Sequence, residues 1–267
     1  MVIILNFLKK AFFHVYKLFF FKSQWKGNYK DWNNAIKKCD GYDNDEILKR
    51  CEYAILKIKN GEAIYERDSV LFSKIEYNWP VLAILQYVAR INNNSLNVLD
   101  FGGSLGSTYY QSLSFIDNIS SINWSIVEQK NFVESGRLNF ENQNLKFYFS
   151  INECLISNKP NIILLNSVLS YIENPTKIID EINQINCDYI IIDRTPVTLV
   201  EFDMLTIQHV PKEIYNASYP CWIFSESKLL NKFTQYECIS KYNIPYASPV
   251  KINGKIVNWH GFILKKI

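Results

Sequence analysis

Apolar positions change their period along the chain, and the change divides it. Between residues 25 and 90 they recur at helical spacing. Asp43 is placed as an N-cap with Glu46 at the capping-box position, and Ile47, Leu48, Cys51, Ala54, Ile55 and Ile58 follow on one face before Gly61. Residues 80–89 predict a second helix, with Pro80 in its first turn. From Asn97 onward, short apolar runs alternate with helical segments. The runs are Val98–Asp100, Trp124–Glu128, Leu145–Phe149, Asn161–Leu165 and Tyr189–Asp193. Those at 161 and 189 are apolar on both faces, as central parallel strands are. The alternation predicts an α/β fold: a doubly wound, mostly parallel, Rossmann-like sheet. Residues 194–224 read as an insertion, and an Asn253-Gly254 turn near the end predicts a terminal antiparallel strand.

Residues 1–22 are aromatic and aliphatic, broken by Lys9, Lys10, His14 and Lys17. A membrane span needs roughly 20 nearly uncharged residues, and no such run occurs here. Lys10, His14 and Lys17 fall at i, i+4 and i+7, so a helix would carry one basic stripe on an apolar body. Such a helix suits a membrane surface, and it equally suits docking on protein.

Composition narrows the function. The 29 basic and 26 acidic side chains give a net charge of +3, without the concentrated basic excess of a nucleic-acid binder. Six scattered cysteines and three histidines form no metal-ligand spacing, and they suit reduced thiols in a cytoplasmic protein.

The candidate chemistry begins at Asp100-Phe101-Gly102-Gly103-Ser104-Leu105-Gly106, a glycine-bearing turn between a strand and a helix. In open parallel sheets, ligands bind at the carboxyl ends of the strands. Glu128, 28 residues after Asp100, ends the next strand, where a carboxylate can take both hydroxyls of a ribose. The dinucleotide fingerprint fails, because Ser104 and Ser107 stand where its second and third glycines belong. An acid two residues before the first glycine is the pattern of S-adenosylmethionine (SAM) methyltransferases. Ser104 replaces the middle glycine of that pattern, with Gly103 one place forward.

Longer matches carry a closer resemblance. These are W-x-G-x-Y-x-x-W from Trp25, Y-E-R-D-S-V-L-F from Tyr65, V-L-D-F-G-G-S-L-G-S-T-Y from Val98, V-E-Q from Val127, S-V-L-x-Y-x-x-x-P from Ser167, I-D-R-T-P from Ile192 and V-P-x-x-I-Y-x-A-S-Y-P-x-W-I-F-S from Val210. Over residues 25–267 the chain resembles a bacterial family of SAM-dependent methyltransferases often encoded near cell-surface polysaccharide genes. The resemblance implies a class I methyltransferase with SAM as cofactor and a small-molecule or glycan acceptor, such as the hydroxyl of a sugar or glycolipid precursor.

The expected organisation is an amphipathic, membrane-surface helix over 1–22, a helical cap over 23–94 and a methyltransferase domain over 95–267. Asp100, Gly102, Gly103, Ser104, Gly106, Glu128, Asn166 and Ser167 are the expected cofactor residues, with turn N–H groups binding the polar end. Asp193 and His209 are candidate bases, and Arg194, Tyr215 and Tyr219 candidate acceptor contacts. Glu66, Arg67 and Asp68 lie where the resemblance places residues that close over the cofactor, although a charged run by itself reads as a solvated turn. The alternative function is a catalytically silent module of the same fold within a glycan-assembly complex.

Overall fold

The computed structural model describes residues 24–39, 45–210 and 217–267. Residues 1–22, Asp43 and Tyr215 lie outside them. Strand β1 (Trp25–Lys26) leads to helix α1 (Trp32–Ile36), whose first turn is capped by the Asp31 side chain. Helix α2 (Asp45–Lys59) has acids in its first turn and lysines in its last, matching the helix dipole. A small hairpin of β2 (Tyr65–Arg67) and β3 (Val70–Phe72) follows. Helix α3 (Trp79–Ile91) is capped by Asn78 and carries Pro80 in its first turn.

The alternating part is β4 (Ser95–Phe101), α4 (Ser107–Ile116), β5 (Ser121–Val127), α5 (Lys130–Asn139), β6 (Leu145–Tyr148), α6 (Ile151–Ser157), β7 (Ile162–Asn166), α7 (Pro175–Asn183) and β8 (Tyr189–Thr198). Then come β9 (Met204–His209), β10 (Ser218–Ser225), α8 (Glu226–Asn231), β11 (Tyr236–Asn243), β12 (Val250–Ile252) and β13 (Lys255–Lys266).

Strands β6, β5, β4, β7 and β8 lie side by side in that order, all parallel. Strand β13 adds antiparallel to β8 and carries β11 on its outer edge. This is a doubly wound, mostly parallel α/β sheet with an antiparallel edge. Both faces are covered, and side-chain alternation shows why. Val98, Ile162, Leu164 and Ile191 point into one apolar cluster with Ile55 of α2, Val88 of α3 and Phe132 of α5. Leu99, Ile163, Leu165 and Ile192 point into the other, with Cys154 of α6, Ile179 of α7 and Leu229 of α8. A strand buried on both faces must be apolar at every position, which is the pattern read at 161–165 and 189–193.

Two expectations need correcting. Among the described residues, the 194–224 insertion does not interrupt the sheet but extends it: β8 continues to Thr198, and β9 and β10 form an antiparallel pair extended by β1. Asp193 therefore does not end its strand. It pairs with Asn166, the last residue of β7, so it still lies at the level of the neighbouring strand end. Secondly, the Glu66–Asp68 run is not solvated throughout, since Glu66 is 2% exposed.

Candidate functional site

The order β5-β4-β7 places the next strand of the chain on opposite sides of β4, and this switch point opens a crevice at the strand ends. A cavity of about 630 Å³ lies there. That volume suits a small molecule. Gly102, Gly103, Ser104, Asn166, Ser167, Asp193, Arg194 and Tyr219 line it, as the sequence expectation places them at one site. Asp100, Gly106, Glu128 and His209 are not among its lining residues.

Asp100 sits under the turn, wholly buried. One carboxylate oxygen accepts from the Trp124 indole N–H (3.0 Å), and Oδ1 has no partner among the described residues. Burial pushes its carboxyl up to about 7. A Cβ at Gly103 would stand 2.6 Å from that carboxylate, so the chain needs glycine there. At Gly102, φ is +73° and a Cβ would overlap Val168. The displaced glycine of the motif is thus explained by the acid beneath it. Ser104 takes the left-handed conformation (φ 54°) that a middle glycine would serve.

The turn's N–H groups are largely spent, which corrects the expectation that they bind a ligand. Gly102 donates to Val127 O (2.9 Å), Gly106 to Gly103 O (3.0 Å) and Ser104 to Glu128 Oε1 (3.1 Å). Glu128 takes a second N–H from Gln129 (2.8 Å). Its first task in this fold is to hold the turn. Burial raises its carboxyl and these two donors lower it, with burial the larger effect.

Across the cavity, Arg194 donates from Nε to Asn166 Oδ1 (2.9 Å) and from both terminal nitrogens to Asp68 (3.0 and 3.1 Å). Asn166 passes the chain on to the Thr108 hydroxyl on α4 (3.1 Å). Beside it, Asp193 is buried and accepts from Asn78 Nδ2 (2.8 Å) and Tyr242 Oη (2.6 Å). Desolvation raises its carboxyl and these donors oppose that rise. His209 is exposed at the end of β9 and does not line the cavity, whereas Asp193 does.

Backbone strain gathers here. Among the described residues, eight non-glycines have left-handed φ, and five of them line this cavity: Asp68, Ser69, Ser104, Ser167 and Arg194. Each such residue costs about 1–3 kcal/mol and persists only where surrounding contacts hold it.

Sequence reasoning missed Asn78, Tyr242 and Tyr246, which come from the cap and from β11 and its following turn. Arg67 lies over the Tyr246 ring (3.6 Å to its centre). It also missed Trp25, Tyr171 and Trp259, which join the expected Tyr219 in an aromatic wall where Trp25 and Trp259 pack at 5.0 Å and Tyr171 and Tyr219 at 5.1 Å. The available signal was aromatic residues at the W-x-G-x-Y and N-W-H positions, which local periodicity cannot pair.

No family profile matches the chain, and no curated protein matches it. Among solved structures, it is similar to the N-terminal domain of EvdMO1 crystallised with SAH and D-fucose. That match has 8% identity, 85% of this chain and 98% of that one covered, and a TM-score of 0.48. It is also similar to an S-adenosylmethionine-dependent methyltransferase from Clostridium acetobutylicum (12% identity, 80% and 98% covered, TM-score 0.47). A third is magnesium protoporphyrin IX methyltransferase from Synechocystis with bound SAM (10% identity, 85% and 100% covered, TM-score 0.41). Likenesses at these identities and scores assign no residue and no substrate.

Proposed function

We propose that the chain is a SAM-dependent methyltransferase acting on a hydroxyl of a sugar or glycolipid precursor. The observation that carries this reading is one cavity with two unlike walls. One wall is the glycine turn at the switch point, free of side chains at 102 and 103. The other is aromatic, with the Tyr171 hydroxyl donating to Gln208 Oε1 (2.8 Å). Aromatic faces with a few fixed polar groups suit an acceptor that is apolar on one side and rich in hydroxyls on the other.

The chain's residues fit such a donor: the turn leaves room, and the buried carboxylates of Glu66 and Asp193 line the same cavity. The donor supplies an electrophilic methyl group on a sulfonium. Gly102, Gly103 and Ser104 shape the space beside it, and Glu128, with lone pairs left after its two N–H donors, is assigned to the ribose. Asn166 and Ser167 border it from β7. Arg194 and Tyr219 face the acceptor. Asp193 receives the hydroxyl proton, and the upward shift from burial brings its carboxyl toward the range a base needs. Alignment of the two reactants supplies much of the rate.

Calorimetry with SAM, S-adenosylhomocysteine and NAD, followed by transfer of labelled methyl to nucleotide-sugar and lipid-linked acceptors, tests the reading. Adenosyl ligands binding below roughly millimolar levels, with label in the glycan fraction, is the expected result. NAD binding alone would overturn it. The proposal extends to a cytoplasmic site with residues 1–22 as a peripheral membrane contact. Among the described residues, no helix is long and apolar enough to cross a membrane. Deleting 1–22 should abolish co-flotation with anionic vesicles.

A further inference from the structure

The cavity has two buried lining carboxylates, Asp193 and Glu66, and their oxygens are engaged unequally. Asp193 has a donor on each oxygen. Glu66 accepts the Ser69 N–H on Oε2 (3.3 Å), while Oε1 is buried with no partner among the described residues. Burial raises its carboxyl, and Ser107, at the first turn of α4, opposes that rise. Its own carbonyl accepts from Gln111 Nε2 (2.7 Å), which fixes β2 across that helix start. Neither motif acid is placed at the methionine end: Asp100 lies beneath Gly103, and Glu128 holds the Ser104 N–H with its remaining lone pairs given to the ribose. Asp68 is committed to Arg194, and Glu76 to Arg67 (2.8 Å) at the surface. A buried carboxyl oxygen beside a ligand cavity, with no hydrogen-bond partner among the described residues, favours a cationic donor group on the ligand.

We propose that Glu66, from the β2–β3 hairpin, recognises the α-ammonium of the methionine end of the donor. The proposal rests on the SAM reading above. Ammonium N–H groups supply the donors that Glu66 Oε1 lacks, and the Arg194–Asp68 pair holds the hairpin that carries it. The motif acid under the turn is then a structural group, and donor recognition is divided between the sheet and the hairpin.

Three ligands separate the possibilities by calorimetry: S-adenosylhomocysteine, its decarboxylated derivative that keeps the amine, and 5′-methylthioadenosine, which has neither charged group. Glu66→Gln should weaken the two amines by about tenfold or more and leave 5′-methylthioadenosine within about twofold. Equal loss for all three, or none for any, would overturn the proposal in favour of a packing role. Unchanged amine affinity with a large fall in turnover would overturn it in favour of a proton-accepting role. If the wild type binds none of the three, the donor reading itself fails and this proposal goes with it. Glu66→Asp, which keeps the charge one methylene shorter, should retain more amine affinity than Glu66→Gln.

Discussion

Arg194 grips Asp68 with two parallel hydrogen bonds of 3.0 and 3.1 Å, joining strand β8 to a hairpin 126 residues earlier in the chain. Both residues have left-handed backbones, at φ 48° and 52°. The contact brings the hairpin, and Glu66 with it, over the start of α4.

Asp68→Asn tests that clamp. Asp68 is 62% exposed, so the pair contributes only about 0–1 kcal/mol to global stability. The expected outcome is faster amide exchange over residues 65–72 with a nearly unchanged melting temperature. A large fall in melting temperature with unaltered exchange would count against the clamp.

Asp100 gives a pH dependence with a definite sign. Its folded carboxyl, at about 7, holds a proton more tightly than the unfolded group at 3.8. The folded state therefore binds more protons between those values, and this contribution to stability is lost as pH rises through that window. Asp100→Asn should flatten that slope while keeping an acceptor for Trp124. Melting curves from about pH 4 to 8 check this, and parallel slopes for both proteins would refute it.

Gly103→Ala places a methyl group 2.6 Å from the Asp100 carboxylate. Overpacking of this kind costs about 1–3 kcal/mol. Both melting temperature and S-adenosylhomocysteine affinity should fall, because the turn must move to make room. Retention of both would mean that the turn tolerates a side chain.

The two candidate bases separate by kinetics. Asp193→Asn should lower turnover by about 10²-fold or more while donor affinity holds, since a general base acts in the transition state. His209→Ala should leave turnover within about twofold. Reversed outcomes would return the role to His209.

Much of the fold was legible in the sequence because it follows from local repetition. Runs such as Asn161–Leu165 are apolar at every position, and only a strand covered on both faces has use for that. The glycine turn was legible too, since a strand, an acid and glycines before a helix start leave few backbone solutions. What local reading got wrong was which partner each polar group would find. Glu66-Arg67-Asp68 has the composition of an exposed turn, yet Glu66 is buried. His209 is exposed, while its neighbours Gln208 and Val210 line the cavity.

The amino-acid sequence by itself determined the parallel sheet, its covered faces and the position of the turn at the switch point, because periodicity and glycine conformation act within a few residues. Tertiary structure alone decided that Asp100 would lie beneath the turn, that Glu128 would hold it, and that Glu66 would face the cavity with an oxygen to spare. Those outcomes depend on pairings such as Arg194 with Asp68 and β13 with β8. Their partners lie far apart in the chain and meet only when burial of the two apolar faces brings them together.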